Sequence, residues 1–242
     1  MNRITIDPNA LRDNLELIGS RIAAHGARMT VVTKSLCAQA DALRALMELG
    51  IDSMGDSRLE NFAPILDLPE DIETWYLRPP HLSALPDIVR YADVSLNTEL
   101  ATIKALNEEA RRQGRQHGVV IMIELGDLRE GILPGSLVKV YEEVFDLSHT
   151  TVMGIGSNLG CLSGAIPNID QFMQLALYRE LLELKFKRRV PLISAGTSAV
   201  LPLLLEGRLP PQVNHFRIGE SIFLGSDLVH GGSLPGLRDD AA

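Results

Sequence analysis

Short runs of β-branched and aliphatic residues alternate along this chain with longer stretches whose apolar positions recur every three or four residues. The pattern predicts strands near Arg3–Ile6, Met29–Thr33, Ser53–Gly55, Thr74–Leu77, Val94–Leu96, Val119–Leu125, Thr151–Gly156, Val190–Ser194 and Phe216–Leu224. Helical patterns fall between them. Asp7-Pro8 supplies an N-cap and a first-turn proline ahead of Leu11, Leu15 and Ile18, which share one face. A helical stretch is expected over Cys37–Leu49, and Asn97-Thr-Glu-Leu100 opens another that carries Leu100, Ile103, Ala105 and Leu106. The longest, Gln171 to Phe186, carries Leu175, Leu177, Leu181, Leu182 and Leu184. Strand–helix alternation repeated about eight times predicts an α/β fold of the (β/α)8 TIM-barrel type, with a doubly wound open sheet as the alternative. The barrel is expected over residues 1–230. Residues 231–242, with Gly231-Gly232, Pro235-Gly236 and a charged end, are expected to form a segment leaving it.

Composition narrows the functional class. The 242 residues are 45% hydrophobic and 22% charged, as in ordinary globular proteins, and can bury a full core without metals or disulfides. A net charge of −8 argues against a nucleic-acid partner, because phosphate backbones need clustered Lys and Arg. Lys185-Phe-Lys-Arg-Arg189, the one basic cluster, suits the C-terminal end of a helix. No apolar run reaches membrane-spanning length, and the start of the chain has no secretory pattern, so no membrane partner is expected. Cys37 and Cys161 are too few and too far apart for a disulfide framework, and read as reduced thiols of a cytoplasmic protein. The six histidines lack metal-ligand spacing; they read as structural, and no metal is expected.

The chemistry-bearing residues follow the strand runs: Lys34, Asp56, Arg78, Asn97, Arg129, Asn158, Ser198 and Arg217. In a barrel they gather on the C-terminal face, where barrel active sites lie. Lys34 closes the apolar run Met29–Thr33; alone, it is better explained as a solvated strand-end lysine, and only the two later segments favour a reactive one. Ser194-Ala-Gly196-Thr197-Ser198 leads into a helix at Val200-Leu201, where free N–H groups favour an anion, although plain capping by Ser198 would account for the hydroxyl. Arg217-Ile-Gly219-Glu220 adds a fixed cation and a second backbone approach. An imine-forming amine beside a phosphate cradle points to pyridoxal 5'-phosphate held as a Schiff base. Arg129, in Asp127-Leu-Arg-Glu-Gly131, can clamp a substrate carboxylate bidentately or form a rim salt bridge with Glu130 or Asp127. Gly154-Ile-Gly-Ser-Asn158-Leu-Gly160 has the wrong spacing for a dinucleotide fingerprint; it suits close backbone approach to a ligand, with Asn158 near the substrate or as a simple turn residue.

Together these segments resemble the alanine racemase-type family of pyridoxal-phosphate enzymes. Val31-Val-Thr-Lys34 is similar to the strand that ends in the cofactor lysine. Met54–Asn61, Glu124–Gly131, Gly154–Cys161 and Asn214–Gly225 are similar to the ornithine racemase branch. The resemblance runs from Ile4 to about Gly236 and implies an isomerase that interconverts the L and D forms of a small amino acid, of ornithine or alanine type. It implies Lys34 as the Schiff-base lysine and one proton-transfer base, with Ser198, Gly219 and Glu220 as phosphate ligands. Arg217 would face the pyridine nitrogen, and Arg129 would lie close to the substrate carboxylate. Family racemases continue into a β-domain that supplies a tyrosine base across a dimer interface, so a homodimer, and residues 231–242 as an exit segment toward such a domain, are expectations. The alternative within the resemblance is a barrel-only pyridoxal-phosphate homeostasis protein without efficient turnover.

Overall fold

Asp7 caps the first helix as its position predicts, accepting from the Asn9 amide at 2.9 Å with Pro8 in the first turn. That helix, α1 (Pro8–Ala24), buries Leu11, Leu15, Ile18 and Ile22 on one face. The computed structural model describes residues 5–68, 71–160 and 165–241. After α1, strands and helices alternate in order: β1 (Arg28–Val32), α2 (Ala40–Glu48), β2 (Ser53–Asp56), α3 (Phe62–Leu66), β3 (Glu73–Tyr76), α4 (Leu85–Tyr91), β4 (Val94–Asn97) and α5 (Leu100–Gln113). The second half continues with β5 (His117–Met122), α6 (Leu137–Phe145), β6 (Thr150–Gly156), α7 (Ile169–Phe186), β7 (Leu192–Gly196), α8 (Leu201–Leu205), β8 (His215–Ile218) and α9 (Glu220–Leu224).

The eight strands are parallel and close into a barrel, with β1 paired to both β2 and β8 (Thr30 opposite Arg217). The expected (β/α)8 architecture is therefore the observed one, and the open sheet is excluded. Closure removes exposed strand edges and brings the loops after β1 and β8 side by side. The large apolar core lies between strands and helices, whereas Trp75, Val94, Leu96, Val120, Met122 and Leu192 form a separate interior cluster. Thr30, Ser53, Ser194, His215 and Arg217, on β1, β2, β7 and β8, are buried polar residues. One side of the barrel is thus filled with apolar side chains and the other with hydrogen-bonding ones.

Several expected boundaries move. Thr5 and Ile6 are not strand, and the rest of the expected Arg3–Ile6 run lies outside the described residues, as does Cys161. The Val119–Leu125 run stops at Met122, because the Ile132 amide takes the Met122 carbonyl at 2.8 Å and folds the next residues into a loop. Phe216–Leu224 is not one strand: β8 ends at Ile218, and Glu220–Leu224 is helical. The helix expected from Cys37 begins at Ala40, since Cys37 and Ala38 have positive φ. On α7 only Phe172, Leu175 and Leu182 are buried, and Leu177, Leu181 and Leu184 face solvent.

Residues 231–241 run back along α1. The buried Asn14 side chain donates to the carbonyls of Ile222 (3.0 Å) and Arg238 (2.8 Å) and accepts from the Arg238 amide (2.7 Å), tying α1, α9 and this segment together.

Strand β7 carries a register shift between Ser194 and Gly196, which seats Gly196 against the buried Phe216 ring. A Cβ at Gly196 would lie 2.1 Å from that ring. Gly196→Ala is expected to cost about 1–3 kcal/mol by overpacking, measured as a lower denaturant midpoint at unchanged m-value. An unaltered midpoint would contradict this tight seat.

Candidate active site

At the C-terminal mouth of the barrel, a cleft enclosing about 670 Å³ including its opening collects residues from widely separated loops. Lys34, Arg129, Asn158, Thr197, Ser198, Arg217, Gly219 and Glu220 all line it, over an apolar wall of Val32, Leu77 and Leu96. Lys34 opens a 3₁₀ turn, Lys34–Leu36, directly after β1 and is exposed. Beneath it, the buried Asp56 carboxylate is saturated: it accepts from the Ser57 and Arg58 amides, from Thr33 Oγ1 and from Asn61 Nδ2. Asp56 therefore anchors the loop after β2 and does not line the cleft. Arg78 is exposed outside it, and Asn97 is buried outside it, its side-chain N–H groups donated to Ser95.

The β7 and β8 loops meet through Ser198, whose hydroxyl accepts from the Ser221 amide at 3.3 Å. Ser198–Val200 forms a 3₁₀ turn, and α9 begins at Glu220, so the first amides of two helical turns have no intrahelical acceptor at the cleft. Gly219 packs against β1: a Cβ there would lie 3.0 Å from the Val32 carbonyl oxygen. Ser194 and Gly196, expected in the same cradle, lie within β7 and do not line the cleft. Ser194 points to the polar side of the barrel interior, where it meets His215, and Gly196 seats Phe216. The cradle is shorter than the sequence suggests because β7 extends to Gly196.

Arg217 is buried, with Nη1 donating to the Ser194 carbonyl (2.7 Å) and hydroxyl, and Nη2 to the Ser157 carbonyl (3.2 Å) and Asn158 Oδ1 (2.6 Å). Asn158 in turn donates to Glu130, which pairs with Arg129 at 2.7 Å. The rim salt bridge considered for Arg129 is therefore formed, and Arg129 nevertheless borders the cleft. Its loop folds on itself: the Glu124 carboxylate accepts from the amides of Gly126 and Leu128, and Gly131 adopts φ +142°, a value open to glycine.

Ser157 and His215 were not singled out as site residues from the sequence, and Glu130 entered only as a salt-bridge partner for Arg129. His215 could have been found, because it lies two residues before Arg217 on a strand and so shares its face.

His215 is almost wholly buried, and desolvation, then the nearby Arg217 and Arg28 charges, hold its pKa well below the ordinary imidazole range. His117, also buried by burial at the base of β5, is pushed down to about 4, chiefly by desolvation. Both are neutral in the folded protein and bind a proton on unfolding once pH falls below about 6.5. Stability from these groups is full above that pH and declines below it, by about 1.4 kcal/mol per pH unit for each histidine until its folded-state pKa is reached. Denaturation between pH 7 and 5 should show this slope, and His117→Gln should flatten it. A slope unchanged by that substitution would refute the assignment for His117.

Comparison with known proteins agrees with the barrel fold. Residues 6–227 match the family model described as alanine racemase, N-terminal domain. The chain is 36% identical over 239 residues to ornithine racemase from Acetoanaerobium sticklandii, covering 98% of this chain and 67% of that protein. It is 28% identical over 228 residues to lysine racemase from Thermotoga maritima, covering 94% and 64%. The chain thus spans about two thirds of the length of these relatives. Among solved structures, alanine racemase from Corynebacterium glutamicum superposes with a TM-score of 0.76 at 20% identity, over 98% of this chain and 67% of that one. PipY of Synechococcus elongatus, solved with PLP bound, superposes with a TM-score of 0.75 at 18% identity, over 88% and 99%. At these identities the two structures bear on the fold. The family match, spanning nearly the whole barrel, places this chain in the alanine racemase N-terminal domain family.

Proposed function

We propose that the protein is a pyridoxal 5'-phosphate-dependent amino-acid racemase, an isomerase, acting on a dibasic substrate of the ornithine type. The observation that carries this reading is the convergence of Lys34, Ser198, Gly219 and Arg217 on one cleft, from loops more than 160 residues apart in sequence. These residues fit the cofactor: an exposed amine, a hydroxyl beside backbone amides and a buried guanidinium line one cleft together with the apolar side chains of Val32, Leu77 and Leu96. When bound, the cofactor supplies an aldehyde that condenses with amines and a conjugated ring that accepts the electron pair released at the substrate Cα.

In this reading Lys34 would be the amine that holds the cofactor, and the same amine would move a proton to or from the substrate Cα on its own face. Ser198 and the amides at Gly219 and Glu220 bind the phosphate, aided by the positive ends of the two helical turns. Thr197 lines the same corner, its hydroxyl donated to the Leu159 carbonyl. Arg217 would be the donor toward the ring nitrogen, and a guanidinium that keeps its proton would limit the charge the ring can store, favouring rapid return of a proton to Cα. Arg129, steadied by Glu130, orients the substrate carboxylate, with Asn158 beside it. Inversion also requires a proton carrier on the opposite face; the reading places it on a second protomer or a further domain of a homodimer. A reduced, cytoplasmic setting belongs to the same reading.

The decisive experiment follows L- and D-ornithine in deuterated solvent with added cofactor. Exchange at Cα accompanied by inversion from either enantiomer is the expected outcome. Exchange with retention, or none, would point instead to the barrel-only cofactor carrier.

A further inference from the structure

A chain of hydrogen bonds crosses the barrel interior from the cleft to the opposite mouth. At the far end, the Glu73 carboxylate pairs with Arg28 at 3.2 Å and accepts from Trp75 Nε1 at 2.7 Å. Ser53 Oγ lies 3.2 Å from the same carboxylate, Thr30 Oγ1 lies 2.8 Å from Ser53, and His215 Nε2 lies 3.0 Å from Thr30. His215 Nδ1 lies 2.7 Å from Ser194 Oγ, which accepts from Arg217 Nη1. Trp75 stacks on the imidazole at 4.3 Å between ring centroids and fixes its plane.

Both ends of this chain set the same direction. A carboxylate has no hydrogen to give and a guanidinium no lone pair to receive. Ser53 therefore spends its hydrogen on Glu73 and accepts from Thr30, and Thr30 accepts from Nε2–H. From the other end, Ser194 accepts from Arg217 and spends its own hydrogen on Nδ1. The Nδ1–H tautomer would aim a second hydrogen at Ser194, whose own hydrogen would lose its acceptor, and would draw the Thr30 hydrogen to bare Nε2, leaving no hydrogen between Thr30 and Ser53. Only a neutral, Nε2-protonated imidazole satisfies every member, which accords with the burial that keeps His215 uncharged.

We propose that His215, acting through Ser194, is a positioning residue for Arg217: its fixed tautomer presents the Ser194 lone pair to the guanidinium and holds that group aimed at the cleft. The racemase reading enters only in what Arg217 then meets, the ring nitrogen of the cofactor. The effect is preorganisation, since a guanidinium already oriented need not be ordered during turnover.

The test begins with the cofactor-free protein, by long-range ¹H–¹⁵N NMR of its histidines and arginine side chains. The expected result is a His215 with Nε2 protonated and Nδ1 bare, and a slowly rotating Arg217 guanidinium. Thr30→Val preserves side-chain shape yet removes the acceptor for Nε2–H. It should shift His215 toward the other tautomer and speed Arg217 rotation, although the guanidinium's hydrogen bonds to Ser194, Ser157 and Asn158 do not involve Thr30; Ser194→Ala should speed that rotation directly. An Nδ1–H tautomer or imidazolium in the unmodified protein overturns the proposal, as does an Arg217 rotation rate that neither substitution changes. In the cofactor-loaded protein, Ser194→Ala should lower kcat about tenfold with KM little changed. If the tautomer is as expected but the unmodified protein neither binds the cofactor nor racemises, the racemase reading fails while the positioning of Arg217 by His215 stands.

Discussion

Replacing Lys34 with alanine is expected to abolish the visible absorbance of lysine-bound cofactor and to reduce racemisation by about three to four orders of magnitude. The size follows from the two tasks assigned to one amine. In the proposed function it forms the covalent link and carries a proton on one face of Cα, a contribution that alone reaches about 10²–10⁴-fold. The fold should be nearly indifferent to the change. Lys34 is exposed at the start of a 3₁₀ turn, and its amine has no carboxylate partner among the described residues. A surface truncation of that kind typically alters stability by no more than about 0.5 kcal/mol. Absorbance spectra, chiral chromatography of the product and a melting curve test the three parts separately. A variant that retained the absorbance would show that another amine holds the cofactor.

Arg217→Glu should have the largest combined effect on stability and chemistry. The native guanidinium satisfies the carbonyls of Ser194 and Ser157 and the side-chain oxygen of Asn158 in a buried site. A carboxylate there would confront those oxygens with no hydrogen to offer. The expected cost is about 3–5 kcal/mol, the range seen when a charge is left buried without a compensating partner. For a barrel of this size that corresponds to a fall in Tm of roughly 10 °C. The protein that remains folded should also change its chemistry, because an acceptor in place of a donor favours a protonated ring nitrogen. More charge is then stored on the cofactor, and transamination should grow at the expense of racemisation. Thermal melting and product analysis read these outcomes. An unchanged Tm would refute the burial argument, and an unchanged product ratio would refute the proposed partner of Arg217.

The site was more legible than the details that support it. Lys34, Arg129, Asn158 and Ser198 each follow an apolar run, and barrel geometry alone sends such positions to one face, whereas Arg217 lies within β8 and reaches the cleft from the strand itself. Ser194 and Gly196 were harder to place, because a strand end cannot be located to two residues from local preference. Their roles follow from β7 continuing beside β8, which turns Ser194 toward His215 and Gly196 toward Phe216. The leucines of α7 illustrate the same limit: with apolar residues on several sides of one helix, periodicity does not choose the buried face, and packing against its neighbours does.

Local pattern was sufficient for the parallel barrel, the capped first helix and the gathering of reactive groups at strand ends, since all three depend on short-range periodicity and on the handed, unbranched connection of strand to helix. Barrel closure and strand register decided the rest. They set β8 against both β1 and β7, joining Glu73, His215 and Arg217 through intervening hydroxyls into one directed chain. Hydrogen-bond direction depends on which side chains meet across the interior, and that pairing exists only once the sheet has closed.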